Sequence, residues 1–518
     1  MVNLMNSRKK ALDYETYDTA LKSYTPDEKW GVFDGNRDSF NVAYECIDRH
    51  VDKGIAIRIK LPDACVESYT FKELSTYASK FANMLENMNV SKGGRVAILL
   101  EPSLEFYVSL IGTLKRGAVA IVCSPLFGPE AMEYRLRDSK PQLLTIEKEK
   151  AKEIDTSPVQ HLEFRENLVD SIKKENSNYE CSTSTSDLAV IQYTSGTTGL
   201  PKKVFYRHKS LVTLAPAARF AYGIRERDSF FCPSSPAWGH GLWGGTLGPL
   251  MFGVCTGVRS GKYAPEQLLE ALEEFKVNNI SAVPTAYRKA LANRSSRKYD
   301  IRLEKLTYTG EHMDLDTFHK IKDGWNVVPH SIYGSTEVGP IIVDYAGFKD
   351  WVVKPGSLGK PMLGIDVAIL DEQESILQPE QVGNIAVRLG GNWFLVGDAG
   401  LVDKDGYYWY KGRKDDLIKS SGYRIGPEEV ENVINKHEAV LESAVVGKED
   451  SQSGQIVKAF IRLKPDYEPG EELKKRIQEF TKNKLSKFAY PKEIEFISDI
   501  PKTLEGKIKR SELKRTSA

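Results

Sequence analysis

Tyr193-Thr194-Ser195-Gly196-Thr197-Thr198-Gly199-Leu200-Pro201-Lys202 is a run of small hydroxylated and glycine residues closed by a lysine, directly after the apolar stretch Leu188-Ala189-Val190-Ile191. A loop of this make suits a polyphosphate. Gly196 and Gly199 let successive backbone N–H groups turn toward one anion, while the hydroxyls of Thr194, Ser195, Thr197 and Thr198 and the Lys202 ammonium add donors and charge. Composition alone fits a solvated Ser/Thr/Gly turn equally well, so the order of the residues has to decide. It is not a Walker loop, because no Gly is followed by Gly-Lys-Ser/Thr at the required spacing here or near Gly506-Lys507.

Working outward, the flanking sequence alternates helix and strand. Leu74, Ala78, Phe81 and Leu85 recur at helical spacing, Gly93-Gly94 interrupts, and Arg95 to Leu100 reads as a buried strand. Pro102 opens a second helix with Leu104, Val108 and Ile111 on its inner face; Gly117 stops it, and Ala118 to Cys123 is another short strand. The pattern resumes with a helix over Pro265 to Phe275 and a strand at Ile280 to Val283. Such alternation predicts an α/β fold with parallel strands. The polar stretch 151–187, ending in Ser182-Thr183-Ser184-Thr185-Ser186, reads as a surface connection.

Near Gly412 the texture changes. Lys411-Gly412-Arg413-Lys414-Asp415-Asp416 is too polar for a core and Ser420-Ser421-Gly422 is a turn cluster, so a linker is expected there. Beyond it come a helix opened by Pro427, strands at Ser443 to Val446 and Val457 to Leu463, and a helix from Glu471 to Phe488. These make a small α+β domain, which gives a division into residues 1–414 and 415–518.

Lys+Arg total 72 against Asp+Glu 71 in 518 residues, which offers no electrostatic footprint for nucleic acid and directs attention to a small-molecule partner. Six cysteines are scattered without Cys-x-x-Cys or Cys/His pairing, so neither a zinc site nor a disulfide framework is signalled, and a cytoplasmic location is expected. No apolar segment approaches the ~20 residues needed to span a bilayer.

The loop at 193–202 resembles the phosphate loop of the adenylate-forming superfamily, which includes acyl-CoA synthetases, amino-acid adenylation domains and luciferases. That resemblance implies a large N-terminal domain of parallel sheets and helices that holds ATP and the acid, and a smaller, mobile C-terminal domain. Further motifs follow in the superfamily's order. Tyr333-Gly334-Ser335-Thr336-Glu337 matches the segment in which the aromatic flanks adenine, the threonine meets the α-phosphate and the glutamate helps hold Mg²⁺, a hard cation that favours carboxylate and phosphate oxygens. Gly310-Glu311-His312 is similar to the Gly-Glu-Pro adenine wall, with His312 in place of proline, and Ser331 stands where many relatives have an acidic residue or asparagine.

Asp398, after Val396-Gly397, matches a Thr-Gly-Asp carboxylate that accepts both ribose hydroxyls, and Arg413 lies fifteen residues on, where a forked guanidinium can join it on the diol. The resemblance makes Asp415 the point about which the C-terminal domain swings. It brings the strand of Gly422 and Arg424 against the pantetheine arm of CoA, and it makes Lys507, on the turn Leu504-Glu505-Gly506, the adenylation lysine between substrate carboxylate and α-phosphate. His208 corresponds to a histidine that supports the loop as often as it does chemistry, and Lys203 replaces a usual glycine.

The acyl group is expected between Trp238-Gly239-His240, the Gly310 segment and Gly334. Acetate-specific relatives place tryptophan at the position of Gly334, so its absence implies a larger acid. From Pro233 to Arg259 there is no Asp or Glu, which argues against an amino-acid substrate whose ammonium group would want a partner. The chain is therefore expected to be an AMP-forming acyl-CoA synthetase, monomeric or homodimeric, using ATP, Mg²⁺ and coenzyme A on a medium-size aliphatic or aromatic monocarboxylic acid. The alternatives are an enzyme that loads a carrier-protein phosphopantetheine and a nucleotide-binding paralogue without acyl chemistry; the presence of Lys202, Glu337, Asp398 and Lys507 counts against the latter.

Overall fold

The computed structural model describes residues 11–156, 159–164, 168–194, 201–293, 298–420, 423–450, 454–484, 489–502 and 508–516. The chain forms two compact units, Met1–Pro355 with Met362–Gly364, and Gly356–Pro361 with Ile365–Ala518.

The helices of the first unit start and stop where side chains can satisfy their ends. Thr70 caps Phe71–Asn87 by accepting the Glu73 N–H at 3.2 Å while the Glu73 carboxylate takes the Thr70 N–H at 2.8 Å, a reciprocal cap worth about 1 kcal/mol. The next helix is Leu104–Arg116 rather than one opened at Pro102, because Ser103 supplies the cap, accepting the Phe106 N–H at 3.2 Å. It ends at Gly117, whose φ of 72° is left-handed, as a C-terminal glycine allows.

These helices cover a six-stranded sheet ordered Gln160–Phe164, Leu143–Glu147, Arg95–Leu99, Val119–Val122, Leu188–Thr194, Lys202–Arg207. All neighbours are parallel except the last pair, a hairpin in which Tyr193 faces Lys203 and Thr194 faces Lys202. Met132 and Leu136 of the helix Pro129–Ser139 are buried against Leu99, Ile121, Ile146 and Ile191 on one face of that sheet. Each such side chain contributes roughly 1.5–3 kcal/mol on leaving water, which docks the helix firmly.

A second sheet runs Gly339–Val343, Pro329–Ser335, Lys305–Tyr308, Asn279–Ala282, Phe230–Phe231, Thr256–Arg259, Ile55–Lys60, Val66–Thr70. Within this run the inner neighbours are parallel, and the first and last pairs are antiparallel.

The stretch 151–187 differs from its expected role as a plain surface connection. Gln160–Phe164 adds a parallel strand to the sheet edge, where only one neighbour has to be satisfied and a weak apolar pattern suffices. Within the Ser/Thr run Thr183 is buried; its hydroxyl donates to the Phe40 carbonyl at 2.7 Å and accepts from Asn41 Nδ2 at 3.0 Å.

The second unit begins with an antiparallel sheet, Val367–Leu370, Gly383–Leu389, Asn392–Val402 and Tyr408–Arg413. The polar stretch around Gly412, expected as a linker, is the end of the last of these strands, followed by a short 3₁₀ turn, Lys414–Asp416. Then Tyr423–Ile425, Ile418–Ser420, Gly454–Leu463 and Val440–Asp450 form a further sheet, with Glu493–Phe496 parallel to Gly454–Leu463. Val430, Ile434, Leu473 and Ile477 cover it from the helices Pro427–Ile434 and Glu471–Lys484. Among the described residues no helix is long and apolar enough to cross a membrane.

Candidate active site

The loop of the opening motif emerges from the hairpin Leu188–Thr194 and Lys202–Arg207. Ser195, Gly196, Thr197, Thr198 and Gly199 lie outside the described residues, as does the side chain of Thr194. Lys202, the first residue of the returning strand, is exposed. Lys203 is occupied: its ammonium lies 3.1 Å from the Asp138 carboxylate, which also receives the Tyr193 hydroxyl at 2.7 Å. The replacement of a usual glycine therefore has a structural account.

Farther along the same strand Tyr206 reaches another part of the unit. Its hydroxyl donates to the Thr336 carbonyl at 2.7 Å, in the turn that carries Thr336 and Glu337 between Pro329–Ser335 and Gly339–Val343. Burial, followed by the charge of Glu337, pushes the Tyr206 phenol above its ordinary range and keeps it a donor. The loop hairpin and the Thr336-Glu337 turn are thus tied together by a side chain that the sequence motifs do not include. Its ring lies 4.8 Å from that of Trp243.

Tyr333 is half-buried and Glu337 exposed. Gly334 sits where the hairpin brings two backbone segments close. A Cβ added there would fall 1.9 Å from the Gly339 carbonyl oxygen, across the hairpin. That close backbone approach is a structural reason for glycine at 334, beside its expected place at the acyl pocket. Ser331 is buried, and its N–H donates to Asp344 at 2.9 Å. Burial pushes the Asp344 carboxyl up to about 7, against the lowering effect of the Ser331 N–H and of Trp351.

The Gly310-Glu311-His312 segment is held by Glu311. Its carboxylate accepts from the Thr285 hydroxyl at 2.7 Å and from Arg288 at 3.2 Å, at the start of the helix Pro284–Ala292. Glu311 therefore anchors the segment, leaving Gly310 exposed beside Val283, 3.5 Å from an added Cβ.

His240–Leu247 is π-helical, a widened turn often found at functional sites. The His240 ring sits between two hydroxyls, 3.0 Å from Ser234 Oγ at Nδ1 and 2.8 Å from Ser281 Oγ at Nε2, and stacks near Tyr222 with centroids 6.3 Å apart. Burial lowers its pKa to about 4, so the ring is neutral near pH 7. Two residues earlier Trp238 meets the edge of Phe127 at 5.8 Å, and Gly239 lies 3.8 Å, at an added Cβ, from Gln192 Oε1. That oxygen is buried without a hydrogen-bond partner.

In the second unit Asp398 and Arg413 are direct cross-strand partners, with Arg413 NH1 3.0 Å from Asp398 Oδ1. The fifteen-residue spacing noted in the sequence is the length of this hairpin. Asp398 is largely buried, whereas the Arg413 side chain is 46% exposed, which leaves its outer edge open to water. Asp415 lies in the 3₁₀ turn between strands, and its side chain is outside the described set. Arg424 pairs with Lys419 between two short antiparallel strands; Gly422 and the Arg424 side chain are likewise outside it. Lys507 also lies outside; on either side of residues 503–507, Lys502 bridges Ile508 and the Lys509 N–H reaches the Pro501 carbonyl at 2.9 Å.

With this geometry in place, residues 48–394 match the AMP-binding enzyme family and residues 429–507 match the AMP-binding enzyme C-terminal domain. The acetyl-coenzyme A synthetase of Bacillus subtilis (strain 168) is 32% identical over 92% of this chain and 90% of its own length. The mitochondrial acyl-coenzyme A synthetase ACSM3 of Rattus norvegicus is 34% identical over 86% of this chain and 84% of its own. Among solved structures, the anthranilate CoA ligase AuaEII in complex with anthranoyl-AMP has a TM-score of 0.83 at 27% identity, covering 93% of this chain and 98% of that one. The chain belongs to the AMP-binding enzyme family. Within it, the protein is an AMP-forming acyl-CoA synthetase, in the acyl-CoA ligase branch of the adenylate-forming superfamily.

Proposed function

We propose that the enzyme activates a medium-size aliphatic or aromatic monocarboxylic acid as its acyl-adenylate and passes the acyl group to coenzyme A. The observation that carries the choice of acid is the neutral His240, held between Ser234 and Ser281 in a segment, Pro233 to Arg259, that has no carboxylate to receive an ammonium group. The anthranilate CoA ligase of similar fold supports an aryl acid; the acetyl-coenzyme A synthetase relative sets the lower bound of size to be tested.

A carboxylate is a poor electrophile because its charge is delocalised and oxide is not a viable leaving group at neutral pH. In the proposed reaction a carboxylate oxygen attacks the α-phosphorus of ATP and the bond to pyrophosphate breaks, its electron pair leaving with the pyrophosphate. The CoA thiolate then attacks the acyl carbon and AMP departs. Both steps need positioning and charge neutralisation more than covalent help from the protein.

Thr194 to Gly199 and Lys202 are assigned to the polyphosphate, Thr336 to the α-phosphate, Tyr333 with the Gly310-Glu311-His312 segment to adenine, and Asp398 with Arg413 to the ribose. Lys507 is assigned to the two anions that meet in adenylation, Gly422 and Arg424 to the pantetheine arm, and Asp415 to the swing of the C-terminal domain. Among the described residues no three His, Cys, Asp or Glu side chains gather into a cation cage. Glu337 fits Mg²⁺ as one carboxylate completing a shell of phosphate oxygens and water. Mg²⁺ supplies charge neutralisation on the polyphosphate when bound.

All six cysteines are free thiols, which supports residence in a reducing cytoplasm, and a monomer or homodimer is expected; fractionation and light scattering test the two. The reaction is tested by measuring pyrophosphate release from ATP in the presence of each of a panel of C2 to C10 fatty acids, benzoates and amino acids, with and without CoA. Release with mid-size acids and AMP formation completed by free CoA are expected. Acceptance of amino acids alone, or a need for a carrier protein, would sink the assignment.

A further inference from the structure

One helix grips both ends of the phosphate loop. From Pro129–Ser139, docked on the sheet through Met132 and Leu136, Tyr134 donates its hydroxyl to the Pro201 carbonyl at 3.3 Å, at the loop's exit. Four residues along the helix, Asp138 receives the Tyr193 hydroxyl on Oδ2 at 2.7 Å and the Lys203 ammonium near Oδ1 at 3.1 Å; that ammonium also donates to the Asp138 carbonyl at 3.2 Å. Tyr193 and Lys203 are directly opposed across the hairpin, and only the pair Thr194 and Lys202 separates them from the loop. A slip of one strand past the other would carry these two groups in opposite directions. A single carboxylate that binds both therefore pins the register of the stem.

We propose that Asp138 is a positioning residue for adenylation, clasping the two strands of the hairpin so that the loop between them is held ready for the polyphosphate of ATP. The inference rests on reading residues 195–200 as the polyphosphate loop. A glycine-containing loop loses conformational freedom when it closes on an anion, and fixing both of its ends in advance reduces what is lost on binding. Two further features agree. Tyr193 and Lys203 hold the Asp138 carboxyl below the usual carboxylate range although burial acts in the opposite direction, so it stays charged. Arg135, one helical turn before, lies 3.9 Å over the Phe127 ring and 5.3 Å from that of Tyr193, bracing the same strand.

The test uses the full-length enzyme and separates the half-reactions. Asp138→Ala should raise KM for ATP and slow pyrophosphate release by ~10-fold, while thioester formation from supplied acyl-adenylate and KM for the acid stay within about twofold. Asp138→Glu, which can still reach both partners, should recover most of the loss, and Tyr193→Phe should add little further in the Asp138→Ala background, where its hydroxyl keeps only the longer bond to the Arg135 carbonyl at 3.3 Å. Lys203→Met, on a partly exposed side chain, gives a second reading should Asp138→Ala fold poorly, with a smaller effect in the same direction. Unchanged ATP kinetics in folded Asp138→Ala or Lys203→Met, or an equal fall in both half-reactions, would overturn the clasp. Lys202→Ala is the control on the loop itself. If it binds ATP as the wild type does, the phosphate-loop reading fails and takes the clasp with it; if it is impaired while Asp138→Ala is not, the clasp alone is wrong.

Discussion

Lys507 carries the largest single expectation placed on any residue. One pre-placed cation between two approaching anions stabilises the adenylation transition state and nothing in the second step, so Lys507→Ala should reduce pyrophosphate release by roughly 10²-fold or more. Thioester formation from supplied adenylate should persist. Stopped-flow measurement of each half-reaction decides it, and a joint loss in a folded variant would remove Lys507 from its role. Tyr206 is a subtler case. Its hydroxyl holds the Thr336 carbonyl, so Tyr206→Phe leaves that acceptor to water and should cost about 1 kcal/mol, read as a several-fold slower adenylation with an unaltered melting profile elsewhere. If pyrophosphate release is unaffected, the turn does not depend on this tie.

At the scale of elements, the hairpin from Pro329–Ser335 to Gly339–Val343 leaves no room for a side chain at 334. Gly334→Ala should therefore destabilise the enzyme by about 1–3 kcal/mol through displaced backbone, with a lowered urea midpoint, and should slow adenylation of every acid alike. Selective retention of acetate would instead mark position 334 as a wall of the acyl pocket. The same hairpin shows why the site was only partly legible. Thr336 and Glu337 are contiguous in sequence with Tyr333, so a local pattern finds them. Tyr206, Asp138 and Ser281 are distant from the motifs they support, and no spacing rule links them. Lys203 was the one local signal of such a partner, an unexpected charge beside a glycine-rich loop, but only the fold shows that it meets Asp138.

Across the whole molecule, buried titratable groups couple the fold to pH. His208 accepts the Val42 N–H on Nδ1 at 3.0 Å, so Nε2 carries the proton, and burial lowers its pKa to about 4. The unfolded chain titrates near pH 6.5, so between pH 6.5 and 4 it binds a proton that the fold refuses. The histidine's contribution is fully present above pH 6.5 and is lost as the pH falls toward 4. His208→Asn, which keeps an acceptor for Val42, should gain on the wild type by up to about 1.4 kcal/mol per pH unit through that window. Asp344 runs the other way. Its raised pKa, about 7, means that its contribution is present below about pH 4 and fades as the pH rises through 7. Urea unfolding at pH 4.5, 5.5 and 7.5 checks both signs; parallel curves for wild type and His208→Asn would refute the first.

By itself the sequence determined the periodic elements, the order of the nucleotide motifs and the two-part plan, because helical spacing, strand runs and glycine turns depend on neighbours within a few residues. Leu74 to Leu85, Gly117 and the strand at Arg95 are where local physics places them. Only the tertiary structure decided what supports the motifs: that Glu311 is anchored by Thr285 and Arg288, that His240 lies between Ser234 and Ser281, and that Asp398 faces Arg413 across a hairpin. Those partners are set by sheet register and helix docking. Both follow from how apolar faces are buried over the whole domain, so the residues that meet through them need share no signal along the chain.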